Sequence, residues 1–370
     1  MKILLGYSYY PYPYDVKLKV EKWISRLNKF GFNVELYPLT IDPPNHPYYW
    51  KKLDRLWKLG DYKLLNHYEK LALKLENFDV FLNWNGINIH PDFIQQLKTF
   101  NIYGCFDDPE SSEKLSKPVA AAYDLSLIGN IAEIETYKSW GVKDVRFWPI
   151  GFMEDEYDPT LTEEKILNTN RPFQVGMLCE KKYNENRIKR LNKYSAAYPE
   201  GQFYGAGWEK GFLKEEDKIS FYLNTKIGPN FHNSTGPINY RLYTLPANGV
   251  MQICDNKRFL GEIFELGKEV IGFNTIEEAI ELTNYYLNHD DERKKIAIAG
   301  WKRVLKDYNE YSVFNLVEKY VNELKPKLTP QFKSKAVIQF LAEHRRKTVF
   351  ERTTFTIKNK IKKIDIPENE

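Results

Sequence analysis

The chain opens on a short apolar run, Lys2–Ser8 (KILLGYS), of the kind a strand buried on both faces shows. Val16–Phe30 then carries apolar residues at helical spacing (Val20, Trp23, Ile24, Leu27, Phe30), and Gly31 stands where such a helix stops. Asn33–Tyr37 reads as the next strand. The alternation continues with a helix over Leu64–Leu75 and a strand over Asp79–Asn83. A helix over Pro91–Phe100, with proline in its first turn, leads to strands at Ile102–Phe106 and Leu125–Ile128. A helix over Asn130–Trp140, ended by Gly141, and a strand over Val145–Trp148 complete the series. Strands alternating with helices specify a parallel sheet covered on both faces.

A polar stretch with Pro159 and Pro172 (154–172) interrupts the pattern and marks a domain boundary. A second alternating series follows. Strands are predicted at Phe173–Leu178, Gln202–Tyr204, Lys226–Pro229, Met251–Cys254 and Val270–Phe273. Helices are predicted at Arg187–Tyr198, Glu215–Asn224, Tyr240–Ala247, Ile276–Asn288, Asp291–Leu305 and Ser312–Leu324. The expected architecture is α/β: an N-terminal Rossmann-like domain over 1–155, a C-terminal one over 170–325, and a basic helical tail over 326–370. Open α/β sheets bind ligands at the carboxyl ends of their strands, so two such sheets facing each other make a cleft for two substrates.

Composition narrows the class. With 42% hydrophobic and 28% charged residues, the chain has ordinary globular proportions. Three separated cysteines (Cys105, Cys179, Cys254) offer neither metal spacing nor a disulfide framework, and fit a reducing, cytoplasmic setting. No signal peptide is expected, and no apolar run approaches the roughly 20 residues that span a bilayer. The net charge of +4 is uneven: residues 331–370 hold ten Lys/Arg against five Asp/Glu, leaving the body near −1. That distribution argues against a nucleic-acid binder, whose binding face would carry the charge. It leaves peripheral membrane contact through the tail 331–370 as the sharper alternative to a solvated surface.

The stretch 226–256 (KIGPNFHNSTGPINYRLYTLPANGVMQICDN) carries the candidate chemistry. A strand gives way to a turn of small residues, Ser234-Thr235-Gly236-Pro237, and then to a helix bearing Arg241. Backbone N–H groups at such a junction suit the two charges of a pyrophosphate, and the Ser234 and Thr235 hydroxyls add donors. Arg241 supplies a fixed positive charge to a leaving diphosphate, which needs no divalent metal. Asn239 and Tyr240 complete this phosphate-binding set. Candidates for holding the nucleotide are Gly176, Asn230, His232 and the Tyr204-Gly205-Ala206-Gly207-Trp208 loop.

These residues resemble the donor-binding element of GT-B glycosyltransferases, in particular the spore-maturation (CgeB-like) branch of glycosyl transferases group 1. Ile227–Asn230, the turn at 234–237, Arg241 and Ala247-Asn248-Gly249 carry the likeness. It extends through 259–282, 291–321 and, in the N-terminal half, through GCFDDPE (104–110), AYDLSLIGN (122–130) and VRFWPIGF (145–152). The resemblance implies a metal-independent transfer of a sugar from a UDP- or GDP-linked donor to a glycan or glycoconjugate acceptor, with the nucleotide sugar as substrate and no cofactor. It also exposes a departure: the position at which many such enzymes carry a ribose-binding glutamate is Thr244, and the partner glutamate position is Gly236. A non-catalytic glycan- or nucleotide-sugar-binding protein and a sugar-nucleotide epimerase remain the competing readings.

Transfer requires a general base on the N-terminal side of the cleft. Asp107, Asp108 and His90 follow predicted strand ends and are the candidates, with Asp107 preferred. Adjacent Asp107 and Asp108 do not form a metal-binding DxD pattern. The tyrosine-rich loop 7–14 is a candidate acceptor platform.

Overall fold

The structure, a computed structural model, describes residues 1–8, 16–41, 48–324 and 332–364; of Val16, Val349 and residues 351–364 it describes the backbone alone. The N-terminal unit runs β1 (Ile3–Tyr7), α1 (Val16–Phe30), β2 (Val34–Pro38), α2 (Trp50–Lys58), α3 (Tyr62–Leu75), β3 (Val80–Trp84), α4 (Pro91–Ile94), β4 (Phe100–Cys105), β5 (Leu125–Ile128), α5 (Ile134–Ser139) and β6 (Val145–Phe147). The second unit runs α6 (Glu163–Asn168), β7 (Phe173–Leu178), α7 (Glu185–Ala197), β8 (Gln202–Tyr204), α8 (Lys218–Leu223), β9 (Thr225–Asn230), α9 (Arg241–Ala247), β10 (Met251–Asp255), α10 (Leu260–Ile263) and β11 (Ile271–Phe273). Four helices follow: α11 (Ile276–Asn288), α12 (Asp290–Asp307), α13 (Glu310–Leu324) and α14 (Lys335–Ile364).

All strand pairs are parallel. The first sheet has the order β2-β1-β3-β4-β5-β6 and the second β11-β10-β9-β7-β8. Each unit therefore reverses direction once, between β1 and β3 and between β7 and β9, and such a reversal opens a ligand crevice beyond the carboxyl ends of the strands. The two-residue period of a strand explains the layering. Ile3 and Leu5 enter one apolar cluster with Val80, Leu82 and α1, while Leu4 and Phe81 enter another with α3.

Three expectations are revised. The predicted helix Pro91–Phe100 stops at Ile94, because Phe100 opposes Val80 as the first residue of β4. Helix α2, not foreseen, buries Leu53 and Trp57. Helix α13, expected with the second domain, crosses back to the first sheet. Its Phe314, Val317 and Val321 share a cluster with Trp23 and Trp148, and the Trp148 indole donates to Val313 O at 3.1 Å. The apolar stripe of α13 thus finds its partner across the hinge, where Arg26 grips the buried Glu310 carboxylate through two bonds of 2.7 and 2.8 Å. The described start of the tail packs on the first unit: Phe332, Val337 and Leu341 join the N-terminal core, and Ser334 bonds Glu76 twice at 2.8 Å.

Candidate functional site

Arg241 is the first residue of α9, one strand-to-helix connection after β9. Its guanidinium turns back onto the sheet: Nη1 donates to Leu178 O at 3.2 Å and Nη2 to Phe231 O at 3.4 Å. These carbonyls mark the carboxyl ends of β7 and β9, so the fixed positive charge stands at the crevice where the second sheet reverses. Nε has no protein partner among the described residues. Arg190 lies close by, over the rings of Phe231 and Phe273 and 3.6 Å from Asp255.

Asn230 and Asn239 hold this corner. Their amides bond each other at 2.9 and 3.2 Å, and Asn239 Oδ1 also accepts the Leu242 N–H at 3.0 Å, capping α9. The two expected ligand residues thus join the strand end to the helix start. Thr244, at the position of the ribose-binding glutamate, is buried, with its hydroxyl donating to Tyr240 O at 3.1 Å. Tyr240 itself is half exposed at the helix mouth.

His232 forms a buried knot. Its backbone N–H and Nδ1 bond the two oxygens of Asp255, at 3.0 and 2.6 Å. Burial lowers the imidazole pKa against the pull of Asp255, while the bonds from His232 outweigh burial and lower that of Asp255. Both shifts describe one state, a neutral ring donating to an ionised carboxylate. His232, Cys254 and Asp255 are the one group of possible metal ligands gathered among the described residues. A cation there would have to displace the imidazole bond and sit beside Arg190, and burial holds the Cys254 thiol well above its usual range.

The wall of the crevice comes from the loops after β7 and β8. Gly205 and Gly207 have positive φ (127° and 84°), and side chains there would strike the backbone of Cys179 and Lys181. They bring two loops together, with Lys181 N–H donating to Ala206 O at 2.7 Å. The expected close approach is therefore loop to loop. Trp208 seals it through an indole bond to Cys179 O at 2.7 Å, and Tyr204 packs edge-on against Phe221 under Lys210. Gly176, expected near the nucleotide, lies inside β7, where a side chain would collide with Phe221 and Thr225. The pattern of the sequence missed Tyr183, a bulky residue at φ 92° with Arg187 over its ring, and Arg187, buried and fastened to Glu180 O at 2.5 Å.

The turn at 234–237 meets the N-terminal unit. Asn130 Nδ2 donates to Ser234 Oγ at 3.0 Å, Thr235 Oγ1 at 3.1 Å and Asp108 O at 3.1 Å. Thr235 donates to Glu133 at 2.5 Å and Ser234 to Glu110 at 3.4 Å, while any side chain at Gly236 would run into Asn130. The Ser234, Thr235 and Gly236 turn, expected at the donor phosphate, thus lies on the interdomain seam. Its hydroxyls are engaged across the interdomain seam, and two carboxylates beside them would repel a diphosphate. Behind the seam, Ile131 and Phe152 share an apolar cluster with Leu242, Tyr243 and Tyr308. Asn130, Glu110 and Glu133 went unremarked as site residues, although the first two lie within the quoted GCFDDPE and AYDLSLIGN segments.

The three candidate bases separate clearly. Asp107 follows β4, is solvent-exposed and yet walled by protein, so that desolvation and then the Asp108 carboxylate raise its pKa. Asp108 is buried and accepts the Tyr137 hydroxyl at 2.6 Å, which makes it an anchor for the loop. His90 is buried, stacked between Trp50 and Trp57, and pushed down to about pKa 4 by desolvation against Asp92 and Asp54. Asp108 and His90 are thus shielded from solvent, and of the three Asp107 alone is exposed. Of the tyrosine-rich loop, residues 9–15 lie outside the described residues.

No curated protein matches the chain. Among solved structures, sucrose-phosphate synthase from Thermosynechococcus elongatus is similar at TM-score 0.64 and 13% identity, covering 88% of this chain and 100% of that one. HepE from Anabaena, in complex with UDP and glucose, is similar at TM-score 0.57 and 12% identity, covering 87% and 99%. A glycosyltransferase from Rickettsia africae ESF-5 is similar at TM-score 0.54 and 13% identity, covering 88% and 99%. Two facing Rossmann-like domains joined in this manner are the GT-B fold, and residues 185–313, which contain Arg241 and its surroundings, match the glycosyl transferase-like family.

Proposed function

We propose that the chain is a glycosyltransferase that moves a sugar from a UDP- or GDP-linked donor to the hydroxyl of a glycan or glycoconjugate acceptor. The observation that carries this is the Arg241 guanidinium, fixed at the β7/β9 crevice of a GT-B fold by two bonds to strand-end carbonyls, with its remaining N–H groups not bonded to protein among the described residues. The matched family and a structural neighbour crystallised with UDP support the same reading. The donor diphosphate rests against Arg241. As the bond from the sugar C1 to the diphosphate oxygen breaks, the guanidinium balances the charge gathering on the leaving group, without a divalent ion. Across the seam Asp107 accepts the proton of the acceptor hydroxyl, whose oxygen forms the new bond to C1. The raised pKa of Asp107 moves it towards the range in which a carboxylate serves as a base. No cofactor takes part.

The test is a panel of UDP-, GDP-, dTDP- and CMP-sugars, read by thermal shift and by release of the nucleoside diphosphate or monophosphate. Stabilisation and slow hydrolysis by one donor class, accelerated by an acceptor glycan, is the expected result. Turnover to an isomeric nucleotide sugar without acceptor would make the protein an epimerase, and binding without any turnover would make it a binding module.

A further inference from the structure

Outside the cleft, α2, α3 and α14 meet at one edge of the N-terminal unit. We propose that this edge docks on an anionic lipid surface. Helix α14 runs antiparallel to α3, from Ser334 at Glu76 to Thr348 against Gly60. Val337, Leu341 and Thr348 are buried along the way, and His344 stacks on Trp57 at 4.0 Å. This spacing of four, three and four residues is one helical face, so the docked stripe leaves the cations of the helix pointing elsewhere.

Those cations join others into one field. Lys51, Lys52, Arg55 and Lys58 of α2 are exposed, as are Arg346 and Lys347 of α14. Residues 50–60 and 342–350 together hold seven Lys/Arg against two Asp/Glu. Apolar groups stand among them: Leu59 is 38% exposed, Tyr62 67% and Phe350 72%. Past Thr348 the backbone of α14 continues as helix to Ile364, about 24 Å at 1.5 Å per residue. The sequence of that segment (351–364) adds five Lys/Arg against one Glu, and Phe350, Ile357, Ile361 and Ile364 recur at steps of seven, four and three.

Cations mixed with exposed apolar groups on a helix that outruns its domain suit the boundary between lipid headgroups and acyl chains. A nucleic acid would use the cations and leave the apolar groups without a partner. Among the described residues no helix is long and apolar enough to cross a membrane, so the protein would lie on the surface through this edge. The proposal stands apart from the glycosyl-transfer reading, since no residue of the cleft takes part.

The test is co-sedimentation of the full chain with vesicles of phosphatidylcholine alone, or with about one third phosphatidylglycerol, at low and high salt. Retention on the anionic vesicles at low salt, lost at high salt and absent on the neutral ones, is expected. Each cation near such a surface is worth about fivefold in partition, so the full-length triple variant Lys58→Glu/Arg346→Glu/Lys347→Glu should partition at least about 100-fold less. Its far-UV circular dichroism and urea midpoint should equal those of the wild type, which shows that it folds. Phe350→Ser should lower partition severalfold without changing net charge. Equal partition to both vesicle types, wild-type retention of the triple variant, or binding to an RNA duplex without binding to anionic vesicles would overturn the proposal.

Discussion

Replacing Arg241 by alanine isolates the charge on which the proposed donor site depends. In the structure two of its N–H groups hold the Leu178 and Phe231 carbonyls at 3.2 and 3.4 Å, both long bonds, and Nε has no protein partner. A charge-assisted bond to an anion contributes about 1.5–3 kcal/mol, and each 1.4 kcal/mol is tenfold in affinity, so the Kd for UDP should rise roughly 10- to 150-fold. The two long bonds to carbonyls contribute about 1–2 kcal/mol to stability together, which the folded unit can lose without unfolding. Arg241→Lys keeps the charge and loses the fork that spans both strand ends, so its affinity should fall between the two. Calorimetric titration with UDP, alongside circular dichroism and urea denaturation of each variant, measures both quantities. A UDP affinity within twofold of wild type in a folded Arg241→Ala protein would refute the placement of the diphosphate. So would equal losses for the alanine and lysine variants, because the charge alone would then carry no share.

Asp107→Asn should cut transfer about 10²- to 10⁴-fold while UDP affinity stays unchanged, measured by steady-state kinetics and calorimetry; Asp108→Asn should instead lower stability through Tyr137. Gly236→Val places two branches against Asn130 and Ala132, so the seam should open and turnover should fall at least about tenfold with the UDP Kd held within threefold. Acid should destabilise the protein before most carboxylates titrate. His67 and His90 have folded pKa values of about 4 and that of His232 is lowered, whereas the unfolded rings take protons near 6.5. Depressed histidine values give stability that is complete above the unfolded pKa and lost as pH falls towards the folded one, about 1.4 kcal/mol for each of His67 and His90 by pH 5.5. Urea midpoints at pH 7 and 5.5 measure the loss, and His90→Phe, which keeps the stack between Trp50 and Trp57, should remove one ring's share; identical midpoints in the wild type would contradict the assignment.

The alternation of two-residue and helical periods carried the α/β class, both sheets and nearly every strand, because burial on two faces leaves a local mark on each segment. The position of Arg241 at a helix start was likewise legible, since a strand, a small-residue turn and a basic helix start are neighbours in the chain. Where local pattern and pairing competed, pairing won: Phe100 fits a helix by spacing but belongs to β4 by its partner Val80. The use of polar groups was decided in three dimensions. Ser234 and Thr235 have hydroxyls suited to a phosphate, and only the approach of Asn130 and Glu133, more than a hundred residues away, assigned them to the seam. Asp107, Asp108 and His90 look alike as residues after strands; a solvent-exposed cleft wall, a tyrosine hydroxyl and two tryptophan rings set them apart. The fate of α13 followed the same logic, because an apolar stripe states that a helix must be covered and leaves open by what. Periodicity is a property of adjacent residues, whereas desolvation and hydrogen-bond partnership belong to groups brought together across the chain.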